Sequence, residues 1–331
     1  MPNAKNANAS IVAVRVVGIL ALLSLLLFIR IRSGQEWVRV SLDASHGAIF
    51  AGVAICLALL LAMGRRRAGP LTWPDWAVYA RSLAISVALG ILIEFLQGFQ
   101  GRPPSFFDVM TDTAGALAGL SAWTLATRPA TGEPRAAAGP NLWLVMSLGL
   151  AGFAFVLWRP MQAATAYAHR AAVFPAIADF SSPRGLDFVT TDGLGAAVAD
   201  LPAPWAQRPG ERALEVRYGP SHPPAVQIVE PPGDWRAYGV IAVDLTNSGP
   251  GELSLVLRIH DAMHDMSHED RFNLPVTIAP RTRTTLRVAL AAVEAAPASR
   301  RMDMARIANV MLFGQPPAAS GALYVSRMWL E

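Results

Sequence analysis

The sequence predicts an α-helical transmembrane domain of five spans followed by an all-β jelly-roll or sandwich domain. Three observations carry that expectation. Of the 331 residues 53% are apolar and only 16% are charged, against about a quarter charged in an ordinary soluble chain. Mean hydropathy is nevertheless only +0.35, too low for a chain that is membrane throughout. Near Asp179 the texture changes from long uncharged runs to short Val/Leu/Ile runs punctuated by Pro and Gly. The single cysteine, Cys56, excludes a disulfide-stapled scaffold, and the apolar content excludes a disordered chain. The net charge of +4 comes from arginine, Lys5 being the only lysine. Without a basic run interleaved with aromatics, nucleic acid is not an expected partner.

The apolar stretches between Ile11 and Trp158 each approach the roughly 20 residues that a spanning helix needs. They place spans at about 11–31, 46–64, 80–99, 107–127 and 141–159, within a membrane domain of residues 1–160. The first is too long for a typical signal sequence, and no small-x-small cleavage site precedes Arg30 and Arg32, so it reads as an anchor. Lys5, Arg15, Arg65, Arg66, Arg67, Arg128 and Arg135 fall on one side of the spans. Arg30, Arg32, Arg39 and Arg102 fall on the other. Short inner loops collect Lys and Arg, so the N-terminus is expected in the cytoplasm of a multi-pass inner or plasma membrane protein. An odd number of spans then puts the C-terminal half outside the cytoplasm.

Pro129–Pro140 is Pro/Ala/Gly-rich and reads as a flexible inner loop. Residues 161–178 read as a juxtamembrane linker, in which Met161–Val173 has helical composition and either extends the fifth span or lies along the membrane surface. The β domain is placed at 179–331. Strands are expected at Ala213–Tyr218, Ala225–Val229, Val240–Thr246 and Leu253–Ile259. Four more follow at Val276–Ile278, Thr285–Leu290, Val310–Phe313 and Ala322–Trp329.

Charged groups within spans mark function more often than they do on soluble helices. Glu94 and Gln97 share a helical face, as do Asp108 and Asp112, with Gly115 and Gly119 continuing the latter as a small-xxx-small surface. Asp43 and His46 open the second span, and Arg102 lies in the turn between the third and fourth. The topology gathers Asp43, His46, Glu94, Gln97, Arg102, Ser105, Asp108 and Asp112 at one membrane face. A ligand or catalytic pocket is one reading. The other is structural: Ser105 with Asp108 as a capping-box-like helix start, Arg102 paired with Asp108 or Asp112, and Asp43 capping the second span.

The elements Asp43-Ala-Ser-His46, Glu94-Phe-Leu-Gln97 and Arg102-Pro-Pro-Ser105-Phe-Phe-Asp108-Val-Met-Thr-Asp112, with Gly115, resemble the VanZ-like membrane family over about residues 11–127. Ala44 stands where that family has lysine, and Asp112 where it has asparagine. The resemblance implies a membrane protein of a family named for an accessory protein of glycopeptide-antibiotic resistance, with no activity attached.

In the β half, His260, Asp261, His264, Asp265, His268, Glu269 and Asp270 put three histidines and four carboxylates into eleven residues after a strand. A metal set of N and O ligands is one reading and a polar rim loop the other; no metal and no cofactor are expected. Trp235-Arg-Ala-Tyr238, the strand after it, Arg258-Ile-His260-Asp261 and Asp270-Arg271-Phe272-Asn273 resemble the galactose-binding-like jelly rolls of carbohydrate-binding modules, over about 179–330. That resemblance implies ligand contacts from Trp235, His260, Asp261, His264, Asp270, Arg271 and Asn273, with Trp205 and Tyr238 as further aromatics. Trp235 and Trp329 read equally as core residues. The expected function is a non-enzymatic membrane protein displaying an extracytoplasmic glycan-binding domain at the cell envelope, linked to glycopeptide or envelope-stress resistance. The alternatives are a membrane-embedded enzyme using the carboxylate/His cluster on a lipid-linked or amphiphilic substrate, and a small-molecule transporter. The bilayer and an envelope saccharide are the expected partners.

Overall fold

The computed structural model describes residues 4–28, 35–68, 73–128 and 135–331. Arg30, Arg32 and residues 129–134 of the Pro129–Pro140 linker lie outside the described residues, as do the side chains of Lys5, Arg66, Arg67 and Arg135. The chain divides into two compact units, Met1–Ala164 and Thr165–Glu331.

Five helices make up most of the first unit: α1 (Ala4–Phe28), α2 (Glu36–Ala68), α3 (Trp76–Phe99), α4 (Phe106–Ala126) and α5 (Arg135–Val173), whose last turns belong to the second unit. Four of them, α1, α2, α3 and α5, are long and apolar enough to cross a membrane. The fifth, α4, stands where a span was expected but is not among them. Its Asp108, Thr111, Asp112 and Thr113 lower its hydropathy, and it is enclosed by its neighbours, with Asp112, Ala114, Gly115, Ala116, Gly119 and Leu120 buried. Large apolar side chains instead point outward from the other helices: Val14, Leu20, Ile91, Phe95, Leu150 and Phe153 are all exposed.

Successive helices run antiparallel, which sorts contacts to two ends. At one end the Arg15 guanidinium donates to the Leu59 carbonyl (2.8 Å), Arg65 lies 3.6 Å from Asp75, and Trp73 Nε1 donates to the Thr124 carbonyl (2.9 Å). At the other, Gln97 Nε2 donates to the Leu26 carbonyl (3.3 Å), and Phe155 stacks on Phe107 with ring centroids 5.6 Å apart. Between the ends, α4 meets α2 backbone to backbone. A Cβ at Gly115 would run into the Gly47 carbonyl, and one at Gly119 would lie 2.5 Å from that of Ala51. The small-xxx-small face therefore finds its partner on α2.

Two expectations are corrected. First, α2 begins at Glu36, so Asp43 lies two turns inside the helix and caps nothing. Second, helix α5 begins at Arg135, inside the segment read as a loop, and runs through Pro140 and Pro160. Of the two readings of Met161–Val173, the structure has the one in which it continues the fifth helix, as far as Val173.

The second unit is a β-sandwich of two antiparallel sheets. Its strands are β1 (Ala176–Asp179), β2 (Val189–Asp192), β3 (Gly195–Asp200), β4 (Arg212–Tyr218), β5 (Ala225–Val229), β6 (Val240–Asn247), β7 (Leu253–Asp261), β8 (Phe272–Ile278), β9 (Thr282–Ala289), β10 (Ile307–Gly314) and β11 (Gly321–Leu330). The first sheet has the order β3-β4-β11-β6-β9, the second β2-β5-β10-β7-β8. The long strand β11 shares one edge between two partners, pairing residues 321–325 with β4 and 327–329 with β1. All eight expected strands are present. The three that sequence reading missed, β1 to β3, are short and Ala/Thr/Asp-rich. The core lies between the sheets and includes Leu214, Ile228, Val243, Leu257 and Leu312, all fully buried or nearly so. Fully buried with them is Trp235, its Nε1 donating to the Pro232 carbonyl (3.2 Å). Its ring is therefore a core element and has no face free for a ligand. A short helix, α6 (Leu290–Glu294), closes one end.

The last turns of α5 pack on this sandwich. Tyr167 Oη donates to Glu230 (2.6 Å), and Arg170 donates to the Val229 carbonyl (2.7 Å) while its guanidinium lies 3.9 Å from the Phe188 ring centroid.

Gly115→Leu should force α2 and α4 apart, at a cost of at least ~1–3 kcal/mol. The detergent-solubilised chain should melt about 5 °C lower or more. Gly64→Ala, at a glycine with nothing near a built Cβ, should leave the thermal melt unchanged.

Candidate functional sites

The helical unit brings the expected polar residues together at one end. Ser105 is the N-cap of α4, its Oγ accepting from the Asp108 amide (3.2 Å). In a complete capping box the N3 side chain, here Asp108, would accept the cap residue's own N–H. That N–H goes instead to Glu94 Oε2 on α3 (2.7 Å). Glu94 is 4% exposed, and its other oxygen, Oε1, is buried with no hydrogen-bond partner. One turn deeper, His46 Nδ1 on α2 faces Asp112 Oδ1 at 3.4 Å, an ion-pair distance without hydrogen-bond geometry. Asp112 is fully buried with neither oxygen hydrogen-bonded. Buried carboxylate oxygens are almost always partnered, so three unpartnered ones this close together stand out.

Arg102, Gln97 and Asp43 have structural partners. Arg102 donates to the Leu26 carbonyl (3.4 Å), not to Asp108 or Asp112, and Gln97 shares that acceptor. Asp43 pairs with Arg159 of α5 (2.8 Å), whose guanidinium also lies over the Phe107 ring at 4.3 Å. Sequence reading missed Arg159 because it closes the fifth span, far along the chain from the cluster. Only the fold brings it back.

In the sandwich the two outer sheet faces differ. The first is covered. Leu201 and Trp205, in the segment after β3, lie over Ala213, Ala322 and Tyr324. Beneath them Arg283 grips Asp244 (2.5 Å) and Glu211 (2.7 Å), and it holds the Glu211 carboxyl below the usual range. Trp205 is spent on this cover, donating through Nε1 to the Arg281 carbonyl (3.0 Å).

The outer face of the second sheet is left partly exposed. Alternation along the strands sends Gln227, Asn309, Met311, Phe313, Arg258 and His260 to that side, with Asn273 beside them. Register aligns Gln227, Met311, Arg258 and Asn273 in one row across β5, β10, β7 and β8. Gln227 Nε2 donates to Asn309 Oδ1 (2.6 Å), and Arg258 Nε to Asn273 Oδ1 (3.0 Å), with the Arg258 guanidinium 4.4 Å over the Phe313 ring. Burial holds the His260 imidazole below its ordinary pKa, so it is neutral at pH 7. Of these, Gln227, Asn309, Met311 and Phe313 were missed. Each sits in a run that reads only as strand, and nothing but register shows that they share a face.

The His-rich segment is the loop of the β7–β8 hairpin, and it is clasped from a distance. Arg300 donates to both oxygens of Asp261 (2.6 and 2.7 Å) and both of Asp270 (2.6 and 2.9 Å). His264 Nδ1 lies 2.8 Å from the Asp270 carbonyl, and the His260 and His264 rings are 4.4 Å apart. His264, Asp265 and Asp270 are near enough to one another to hold a metal ion. Both Asp270 oxygens are already occupied by Arg300, and Oδ2 also accepts from the Asp265 amide (2.9 Å). The carboxylates proposed as ligand contacts are thus committed to the loop's own architecture. Burial works against the Asp261 anion, but Arg300 and the Asp303 amide outweigh it and hold the carboxyl low. Arg300 and the Asp265 amide hold Asp270 at about 2.

Residues 15–127 match the VanZ/LLP1 family model. No curated protein matches the chain. Among solved structures, the chain is similar to an exo-β-agarase, with 12% identity over 47% of this chain and 24% of that one, and a TM-score of 0.37. It is also similar to a family 11 carbohydrate-binding module from Clostridium thermocellum, in complex with a β-1,3-1,4-mixed-linked tetrasaccharide (16% identity, 43% of this chain, 88% of that one, TM-score 0.31). A third is a module of family 28, specific for non-crystalline cellulose (11%, 48%, 93%, TM-score 0.32). The chain spans about a quarter of the length of the agarases it matches.

The Arg300 clasp sets an acid limit. Carboxyls whose folded pKa is depressed stabilise the fold fully above their unfolded value of about 4, and lose that contribution as pH falls toward 2. Tryptophan fluorescence of the sandwich should therefore report falling stability from about pH 4 to pH 2. Arg300→Gln should flatten that dependence and lower stability at pH 7. For the covered face, Arg283→Met strands two carboxylates and should cost about 3 kcal/mol in urea unfolding.

Proposed function

We propose that this chain is an integral membrane protein of the cell envelope that displays a glycan-binding β-sandwich outside the cytoplasm. The open face of the second sheet carries the reading. Amides of Gln227, Asn309 and Asn273 lie there beside the Phe313 ring and Met311 on adjoining strands. Sugars need that combination of directional donors and acceptors beside apolar surface for their C–H faces. Membrane insertion is supported by the four long apolar helices and by the outward-facing Val14, Leu20, Ile91 and Phe153. An N-terminus on the cytoplasmic side is supported by Arg15, Arg65 and Arg128 lying at one end of the helical unit. The link to glycopeptide or envelope-stress resistance rests on the family match over residues 15–127 alone.

A second reading is favoured by one specific observation: Glu94 Oε1 and both Asp112 oxygens are buried without hydrogen-bond partners beside His46. A histidine facing a carboxylate is an acid–base pair, which suits chemistry on an amphiphilic, lipid-linked substrate entering from the bilayer.

The full chain in nonionic detergent should bind at least one oligosaccharide of a glycan array. The double variant Gln227→Ala/Asn309→Ala should weaken that binding about tenfold or more without changing the thermal melt. Absence of binding to every glycan would remove the first reading. For the second, cells carrying Glu94→Gln, His46→Ala and Asp108→Asn together should lose whatever phenotype the intact gene confers; full retention would rule out chemistry at the cluster.

A further inference from the structure

The open sheet face holds two guanidinium groups without a carboxylate. Arg258, on β7, uses Nε on Asn273 and lays its plane on Phe313, leaving its two Nη groups without a protein partner. Arg271 lies one residue before β8, where the hairpin register carries it beside His260, and its Nε is buried with no hydrogen-bond partner. Neither arginine forms a salt bridge among the described residues. Other partly buried arginines of the sandwich do: Arg283 grips Asp244 and Glu211, and Arg300 grips Asp261 and Asp270. Burial, and then the Arg271 charge, push the Arg258 guanidinium down from its usual value, with no anion acting in the opposite direction. Two like charges held together on a half-buried surface are unfavourable unless something negative binds between them.

We infer that this face takes an acidic saccharide, a glycan whose sugar rings carry carboxylates, with Arg258 and Arg271 as its anion-binding pair. The inference rests on the glycan-binding reading above and narrows it. What remains free on Arg258 is a coplanar pair of Nη groups, a fork that meets both oxygens of a planar carboxylate at once. A tetrahedral oxyanion can meet the same fork with two of its oxygens, so a sulfated glycan is the competing ligand that the experiment separates. The adjoining Gln227–Asn309 amide pair and the Phe313 edge then serve the ring hydroxyls and the C–H face. Neutral His260 adds a hydrogen-bonding group and no charge.

Isothermal titration of the full chain in nonionic detergent tests this with three probes: a galacturonic acid oligosaccharide, the same oligosaccharide with its carboxyls reduced to alcohols, and dextran sulfate. The acidic oligosaccharide should bind at least tenfold more tightly than the reduced one, and its affinity should fall with added salt. Arg258→Ala and Arg271→Ala should each weaken it about tenfold, with unchanged melting temperature. Arg258→Lys, which keeps the charge and loses the fork, should recover only part of the affinity. Equal binding of the acidic and reduced forms, unaffected by the arginine variants, would overturn the acid specificity and leave a glycan-binding face standing. Binding of dextran sulfate alone would overturn it in favour of a tetrahedral oxyanion. No binding of these probes or of any arrayed glycan would overturn both readings.

Discussion

At Gly115 and Gly119 helix α4 meets the backbone of α2 directly, and the rest of the helical unit follows from that approach. Gly115 and Gly119 on one helix, with Gly47 and Ala51 on the other, let the two axes close to a distance that a single methyl group would prevent. At that distance α4 is a central element and can carry Asp108, Thr111 and Asp112, which an outer helix facing lipid could not. The same approach sets His46 against Asp112. In a bilayer, packing of this kind is the main force between helices, since apolar side chains gain nothing by leaving lipid for one another. The polar end of the unit is thus a product of its small residues.

The sandwich is held differently. Its interior is an ordinary apolar core, but the segments that run outside it are fixed by arginine forks. Arg283 draws the segment after β3 onto the first sheet, and Arg300 ties the hairpin loop between β7 and β8 to the stretch before β10. Each fork matches carboxylates in two places and so fixes geometry as well as charge. Arg258 and Arg271 share the chemistry and form no salt bridge among the described residues, which sets the open face apart from the covered one.

Much of the architecture was legible in the sequence, for reasons that can be stated residue by residue. Uncharged runs locate helices in lipid-like surroundings, and alternation as in Leu253, Leu255, Leu257 and Ile259 locates strands. The polar cluster was legible because its members are closely spaced within three adjoining segments. What escaped was anything set by long-range return of the chain. Arg159, Arg300 and Phe313 become partners of His-, Asp- and Arg-bearing segments only through tertiary register. Trp235 misled because an aromatic beside a turn has the same sequence context whether it lines a groove or fills a core. The early start of α2 and α5 was hidden by polar or proline-bearing first turns, which hydropathy alone reads as loop.

The Glu94–Ser105 bond bears on how the helical unit is made. The first turn of α4 leaves amide donors that a self-contained cap would answer locally. Here one of those answers comes from a residue eleven positions earlier, on the preceding helix. Helix α4 thus draws part of its beginning from α3, which leaves the ribosome first with that carboxylate already in place. The two form a hairpin tied at its turn by that bond, and the partner that α4 needs is made before α4 itself. The one helix of the five that is not apolar enough to cross a membrane by itself would enter it beside an apolar escort.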